Sequence, residues 1–219
     1  MKILLRAGIA VVAAAVLSGC TSVASTSYET LRLAIIGAEP VITADYVNSL
    51  DQSGLSARLK QSEALLMLAS RNEGVAEWHG LSQALVTHNG RLIQTAGLPD
   101  DADVIAPLAS TDPFLRDLRT LPEDTEVTRL VDFPARYLTG VPQYARYRKG
   151  PMETLDIMGE QRTLQRLDEM IRMPAVSFRA TNHYWLDSVT GHVVASAQHL
   201  APGLPALHLA ELNPTTVQP

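Results

Sequence analysis

His183, His192, His199 and His208 all fall in the last quarter of a 219-residue chain that holds six histidines, so metal ligation and general-base catalysis are the first chemistries to weigh. No tight ligating pair is present: His-x-His, His-x-x-x-His and His-Glu-x-x-His are all missing from the sequence. His192 and His199 are seven apart, an odd separation that puts them on opposite sides of a regular strand. The spacing therefore predicts scattered surface and half-buried histidines, and no metal or cofactor. Asp187 and Ser188 lie near two of these histidines and invite a Ser-His-Asp relay. Yet Asp-Ser-x-Thr-Gly is turn composition, and the strained Gly-x-Ser-x-Gly elbow is absent. Glycoside hydrolysis needs two converging carboxylates. Glu73, Glu77, Asp156, Glu160 and Asp187 are available, but nothing in their spacing brings them together. The sequence reads as that of a non-enzyme.

One cluster points to binding. Phe133, Tyr137, Tyr144 and Tyr147 are interleaved with Arg136, Arg146, Arg148 and Lys149. Tyr137, Tyr144, Arg146, Tyr147 and Arg148 form a candidate glycan-contact patch, in which rings stack on sugars and guanidinium groups hold acidic substituents. The plainer expectation is an amphipathic strand pair whose tyrosines pack and whose arginines face water, because Tyr144 and Arg146 alternate with Ala145 and Tyr147. Trp78 and Trp185 are expected to anchor a β core.

The single cysteine carries a different chemistry. Lys2 and Arg6 precede an eleven-residue apolar run, Ala7 to Leu17, which is too short to span a bilayer and has the length of a signal-peptide core. It ends in Leu17-Ser18-Gly19-Cys20, which resembles the bacterial lipobox. That resemblance implies cleavage before Cys20, diacylglycerol on its sulfur and a third acyl chain on the new amino group. Each buried methylene adds about 0.8 kcal/mol, so three chains anchor a protein almost irreversibly. The expected organisation is a signal peptide at 1–19, a Ser/Thr-rich lipidated tether at 20–27 and one β-rich periplasmic domain at 28–219. Thr21, where inner-membrane lipoproteins commonly carry Asp, points to the outer membrane.

Composition narrows the partners. Removing residues 1–19 leaves 200 residues at net charge −7, from −5 for the whole chain. Such a chain lacks the basic surplus that nucleic acid or anionic headgroups require. One cysteine excludes an internal disulfide framework and a cysteine-rich zinc site.

The elements that must position these residues read mostly as strand. Ser27 is placed to cap a short helix to about Ala38. Ala64 to Ala69, Val75 to His79 and Leu207 to Leu212 read as strands. Asn89-Gly90 between two β-prone arms predicts a type I′ hairpin over residues 83–95. Asp187 to Gly191 predicts the turn of a second hairpin over residues 182–198, with Gly191 in the left-handed region. Asp112-Pro113-Phe114-Leu115 reads as a short helix start. From Gln161 to Met173 the pattern supports helix and strand equally, since Leu164, Leu167 and Met170/Ile171 recur at helical spacing while Gly159 and Pro174 bracket the segment like a strand.

Several blocks carry a family likeness: Ala84-Leu-Val-Thr-His-Asn-Gly-Arg-Leu-Ile-Gln-Thr95, Thr154-Leu-Asp-Ile-Met-Gly159, Tyr184-Trp-Leu-Asp-Ser-Val-Thr-Gly191, Pro205 and a strand ending near Asn213-Pro214, all after the lipobox. In this the chain resembles the YjbF/GfcB-type lipoproteins of exopolysaccharide and group 4 capsule operons. The resemblance implies a mainly β fold, a curved antiparallel sheet or half-barrel with one or two short helices, and tips Gln161 to Met173 towards strand. It implies a lipid-anchored accessory of polysaccharide export on the periplasmic face of the outer membrane, beside an outer-membrane β-barrel and periplasmic proteins, in contact with polysaccharide. It carries no catalytic residues with it. A carrier of an apolar acyl ligand is the alternative, and it requires an unfilled apolar interior.

Overall fold

The computed structural model describes residues 42–212. The signal peptide, Cys20, the tether, the helix expected from Ser27 and residues 213–219 lie outside the described residues.

A five-residue helix, α1 (Ala44–Asn48), opens the domain, with the Thr43 hydroxyl accepting from the Tyr46 amide. Eleven strands follow: β1 (Gly54–Leu59), β2 (Ser62–Asn72), β3 (Val75–His79), β4 (Ala84–His88), β5 (Arg91–Ala96), β6 (Glu126–Phe133), β7 (Leu138–Ile157), β8 (Glu160–Met173), β9 (Phe178–Leu186), β10 (Val193–Gln198) and β11 (Leu207–Leu212). They form one antiparallel sheet in the order β5-β4-β3-β2-β1-β11-β10-β9-β8-β7-β6. Two meanders are thus joined where the first strand pairs with the last, from Gly54 opposite Leu212 to Arg58 opposite His208.

Turn chemistry explains most of the connections. Asn89 and Gly90 have φ of 46° and 85°, as a type I′ turn requires, and the same geometry recurs at Glu73-Gly74 and Met158-Gly159. The β6–β7 and β8–β9 connections also match each other. Each is a 3-10 turn opened by proline, Pro134–Arg136 and Pro174–Val176, and closed by a left-handed residue, Tyr137 or Ser177. Period-two burial identifies the strands: Val127, Arg129, Val131 and Phe133 point inward on β6, and Leu167, Glu169, Ile171 and Met173 on β8. Gln161 to Met173 is therefore strand; the glutamate in the middle of its apolar row had masked the alternation.

The sheet curls until its two edges meet. Ile105 bridges Gln94 of β5 and Asp132 of β6, and the Ile105 and Asp132 backbones exchange bonds of 3.1 and 2.8 Å. At that level neither edge is left open for a further strand. The curl is tightened across its middle as well. The β4–β5 turn reaches β10, where Gln198 donates to the Gly90 carbonyl at 2.9 Å and accepts from the Leu92 amide at 3.0 Å. A Cβ on Gly90 would lie 2.4 Å from the Val193 Cβ, so glycine alone permits this approach.

The interior holds Leu66, Leu85, Trp78, Phe133 and Met173, all at most 2% exposed. Each such side chain contributes roughly 1.5–3 kcal/mol by burial. The long β5–β6 connection adds Ala102, Val104, Phe114 and Leu118 to the same core. Asp112 caps the short turn Pro113–Leu115, as its sequence predicts, and that turn drives Phe114 between the rings of Tyr184, 4.7 Å away, and Tyr147, 6.2 Å away.

Candidate functional site

Strand alternation divides the predicted aromatic and basic patch between two faces. Tyr147 points inward and is fully buried, while Tyr144, Arg146 and Arg148 point outward. Tyr137 is 94% exposed but sits in the β6–β7 turn, seven residues and roughly 20 Å of extended chain from Tyr144. Arg136 donates to the Pro202 carbonyl and Lys149 to the Arg119 carbonyl, away from any common surface. Tyr147 thus leaves the patch, and Tyr137 stands apart from it.

What remains on the outer face is joined by two arginines that sequence spacing did not bring forward. Across β8 and β9 the outward residues pair in four rows: Arg166 with Trp185, Asp168 with His183, Met170 with Thr181, and Arg172 with Arg179. The first two rows are neutralised. Arg166 is held by Glu153 and by Asp168 at 2.8 Å, Trp185 donates to Glu153 at 2.8 Å, and His183 Nδ1 lies 2.7 Å from Asp168. The last row is not. Arg172 and Arg179 face each other directly, and neither has a carboxylate within ion-pair distance among the described residues. Like charges directly opposite are destabilising by several tenths of a kcal/mol. Arg172 lies 5.1 Å above the ring of Tyr144, its partner on β7. Arg146 completes the group, paired with Glu126 at 2.6 Å. Together Glu126, Thr128, Tyr144, Arg146, Arg172 and Arg179 line a depression of about 540 Å³, and Arg172 and Arg179 bring two uncompensated positive charges to it. Arg148 lies outside it, bound to Asp124 at 2.8 Å.

Inside the sheet, Tyr147 belongs to a polar cluster that fills the curl. Glu169 accepts from Arg129 and Tyr147 at 2.6 Å each, and from Asn182 and Tyr184 at 2.8 Å each. Arg91 lies 3.6 Å from the same carboxylate, and Arg129 also pairs with Asp112. Two arginines and two carboxylates balance to zero, as burial demands. Burial pushes Glu169 towards the neutral form, but Arg129 and Arg91 outweigh it and hold the carboxyl far below the ordinary range. Burial, then the Glu169 charge, pushes Tyr147 and Tyr184 well above the ordinary tyrosine pKa. Their folded-state values exceed the unfolded one, so their contribution to stability is full below the unfolded pKa of about 10 and is lost as pH rises past it. The melting temperature is expected to fall steeply above pH ~10. Tyr184→Phe should flatten that fall, as thermal melts from pH 8 to 11.5 will show; an unchanged slope would exclude these tyrosines as its cause. With this half of the curl filled by charges and Phe114, it offers no apolar lumen for an acyl chain.

The other candidate chemistries disperse. Asp187 accepts from the Val189 and Thr190 amides and from the Thr190 hydroxyl, which makes it a turn-former and lowers its pKa. His192 and His199 flank β10, and their partners are Glu211 and Asn182. No group of three His, Cys, Asp or Glu among the described residues has metal-holding geometry. Glu73 and Glu77 belong to the β2–β3 hairpin, Asp156 and Glu160 flank the β7–β8 turn, and Glu73, Asp156 and Asp187 line three different cavities. Trp78 is buried as expected; Trp185 is half-buried on the outer face.

Comparison with known proteins agrees with this architecture. The family described as "Group 4 capsule polysaccharide lipoprotein gfcB, YjbF" matches residues 28–212. The chain is 25% identical to the uncharacterized lipoprotein GfcB of Escherichia coli K12 over 202 residues, 90% of this chain and 94% of that one. The crystal structure of the hypothetical lipoprotein YmcC from Escherichia coli K12 superposes with a TM-score of 0.69 at 23% identity, covering 84% of this chain and 94% of that one, and so shares its fold.

Proposed function

The chain belongs to the YjbF family of group 4 capsule polysaccharide lipoproteins, and from that premise we propose that it is a non-enzymatic accessory of capsule or exopolysaccharide export. In this reading it is anchored to the periplasmic face of the outer membrane by acyl chains on Cys20. It works beside an outer-membrane β-barrel and periplasmic proteins of the export system, and it contacts the polysaccharide through the outer-face depression.

The observation that carries the reading is the Arg172–Arg179 pair. Two guanidinium groups placed face to face without a carboxylate tolerate mutual repulsion, and an acidic sugar chain removes that cost on binding. Tyr144 adds an aromatic edge, and tethering raises the local concentration of the domain for partners in the same membrane. Lipoprotein relatives and the lipobox support the anchor.

The test is a gene deletion complemented with wild type, with Cys20→Ala and with the Arg172→Ala/Arg179→Ala double variant, scoring surface polysaccharide. Wild type is expected to restore it, Cys20→Ala to fail, and the arginine variant to restore less than half while folding normally. Unchanged polysaccharide on deletion would end the accessory reading, and full restoration by the double arginine variant would end the role of the depression.

A further inference from the structure

On the inner face a second cavity lies between the first meander and β10–β11, with Asn89 and Gly90 of the β4–β5 turn in its lining. Its volume is about 420 Å³, within the range of small-molecule sites. The floor is apolar: Leu55, Ala76, Val193 and Leu209, each at most 5% exposed, with Trp78 beneath. The mouth is charged. Arg71 Nη2 lies 2.6 Å from Glu211, and its guanidinium stacks 5.5 Å from the centre of the Trp78 ring. His192 Nε2 lies 2.9 Å from the other oxygen of Glu211. Glu73 stands at the rim on a left-handed backbone.

Two groups at this mouth are unspent. Beyond the Nη2 bond to Glu211, the Arg71 guanidinium has no acceptor among the described residues, and its side chain is 26% exposed. The Glu73 carboxylate has no ion-pair or hydrogen-bond partner among the described residues. One is a donor and the other an acceptor, beside an apolar floor. A hydroxyl is both acceptor and donor, so a polyhydroxylated ring with apolar C–H faces satisfies all three features at once. An anion is disfavoured, because Arg71 is already neutralised by Glu211 and Glu73 stands beside it. An acyl chain is disfavoured, because it would strip water from Arg71, Glu211 and His192 without replacing their hydrogen bonds.

We propose that this cavity is a subsite for a neutral pyranose unit, its apolar face on Leu55, Ala76, Val193 and Leu209 and its hydroxyls shared between Arg71 and Glu73. The assignment rests on the polysaccharide reading above and deepens it, by placing a neutral sugar within the curl and acidic substituents on the outer face.

The mature chain with Cys20→Ala and Trp185→Phe keeps Trp78 as its sole indole and needs no detergent. It is titrated with the methyl glycosides of glucose, galactose, mannose and N-acetylglucosamine, with glucuronate as an anionic probe and decanoate as an acyl probe. Trp78 fluorescence and ligand-observed NMR are read together. At least one neutral glycoside is expected to saturate the signal in the millimolar range or below. Arg71→Lys and the surface variant Glu73→Gln are each expected to weaken it at least fivefold with circular dichroism unchanged. Saturation by decanoate or glucuronate in preference to every neutral glycoside overturns the proposal. So does the absence of any saturable neutral glycoside, or binding indifferent to both variants. These outcomes separate from the genetic test. Polysaccharide lost on deletion with no sugar bound here removes the subsite and leaves the accessory reading standing. Polysaccharide unchanged on deletion removes the accessory reading by itself.

Discussion

Replacing Glu169 by alanine is expected to cost about 3–5 kcal/mol of unfolding free energy, because it strands buried positive charge rather than merely deleting contacts. The carboxylate takes four hydrogen bonds and faces both Arg129 and Arg91. Without it, Asp112 alone opposes two buried guanidinium groups, and the Tyr147 and Tyr184 hydroxyls lose their strongest acceptor. A loss of that size should lower the melting temperature by roughly 10 °C in a domain of this length. Urea titration and calorimetry on Glu169→Ala and Glu169→Gln will measure it. The glutamine variant keeps the shape and should recover only a minor part. A change below about 1 kcal/mol would mean that water or backbone motion satisfies the cluster without Glu169.

Gly90→Ala is expected to be comparably damaging, at about 2–5 kcal/mol, although it adds a single methyl group. A φ of 85° costs a non-glycine residue about 1–2 kcal/mol, and overpacking adds about 1–3. The new Cβ would collide with the Val193 Cβ at 2.4 Å, pushing the β4–β5 turn off β10 and breaking the Gln198 bonds to Gly90 and Leu92. The collision can be isolated by a double-mutant cycle. Val193→Gly removes the obstructing atom, so the double variant should lose at least about 1 kcal/mol less than the sum of the singles. Strict additivity would assign the whole cost to the backbone.

Local signals were legible and cross-strand ones were not. Asn89-Gly90 and Asp187 to Gly191 announce their turns because the residues that bend the chain are the residues that permit the bend. Glu73-Gly74 and Met158-Gly159 make the same turn as Asn89-Gly90, but their first residue carries no turn preference. Of the matched Pro134 and Pro174 turns only Pro174 stood out in the sequence, as a bracket of the Gln161 to Met173 segment, and nothing local says that Tyr137 or Ser177 is left-handed. The segment ending at Met173 looked ambiguous because Glu169, a charged residue, occupies a core position, and only Arg129 and Arg91, 40 and 78 residues away, make that tolerable. The patch had the right strand and the wrong membership. Alternation alone sends Tyr147 inward from Tyr144 and Arg146, whereas Arg172 and Arg179 join them only through pairing of β7, β8 and β9. The cavity mouth is still less local, since Arg71, His192 and Glu211 meet only once the sheet has curled.

The pairing of β1 with β11 has a kinetic side. Each meander is built of hairpins between neighbouring strands, whose short loops close cheaply. The seam between the meanders instead joins residue 54 to residue 212, the longest closure in the sheet, and it lies at the sheet's centre. A chain delivered from its N-terminus therefore presents β1 with one edge unpaired until its final strand emerges. Leu207 to Leu212 are the residues whose arrival closes the seam between the two ribbons, and until then the exposed edge of β1 is the segment most in need of protection from other chains.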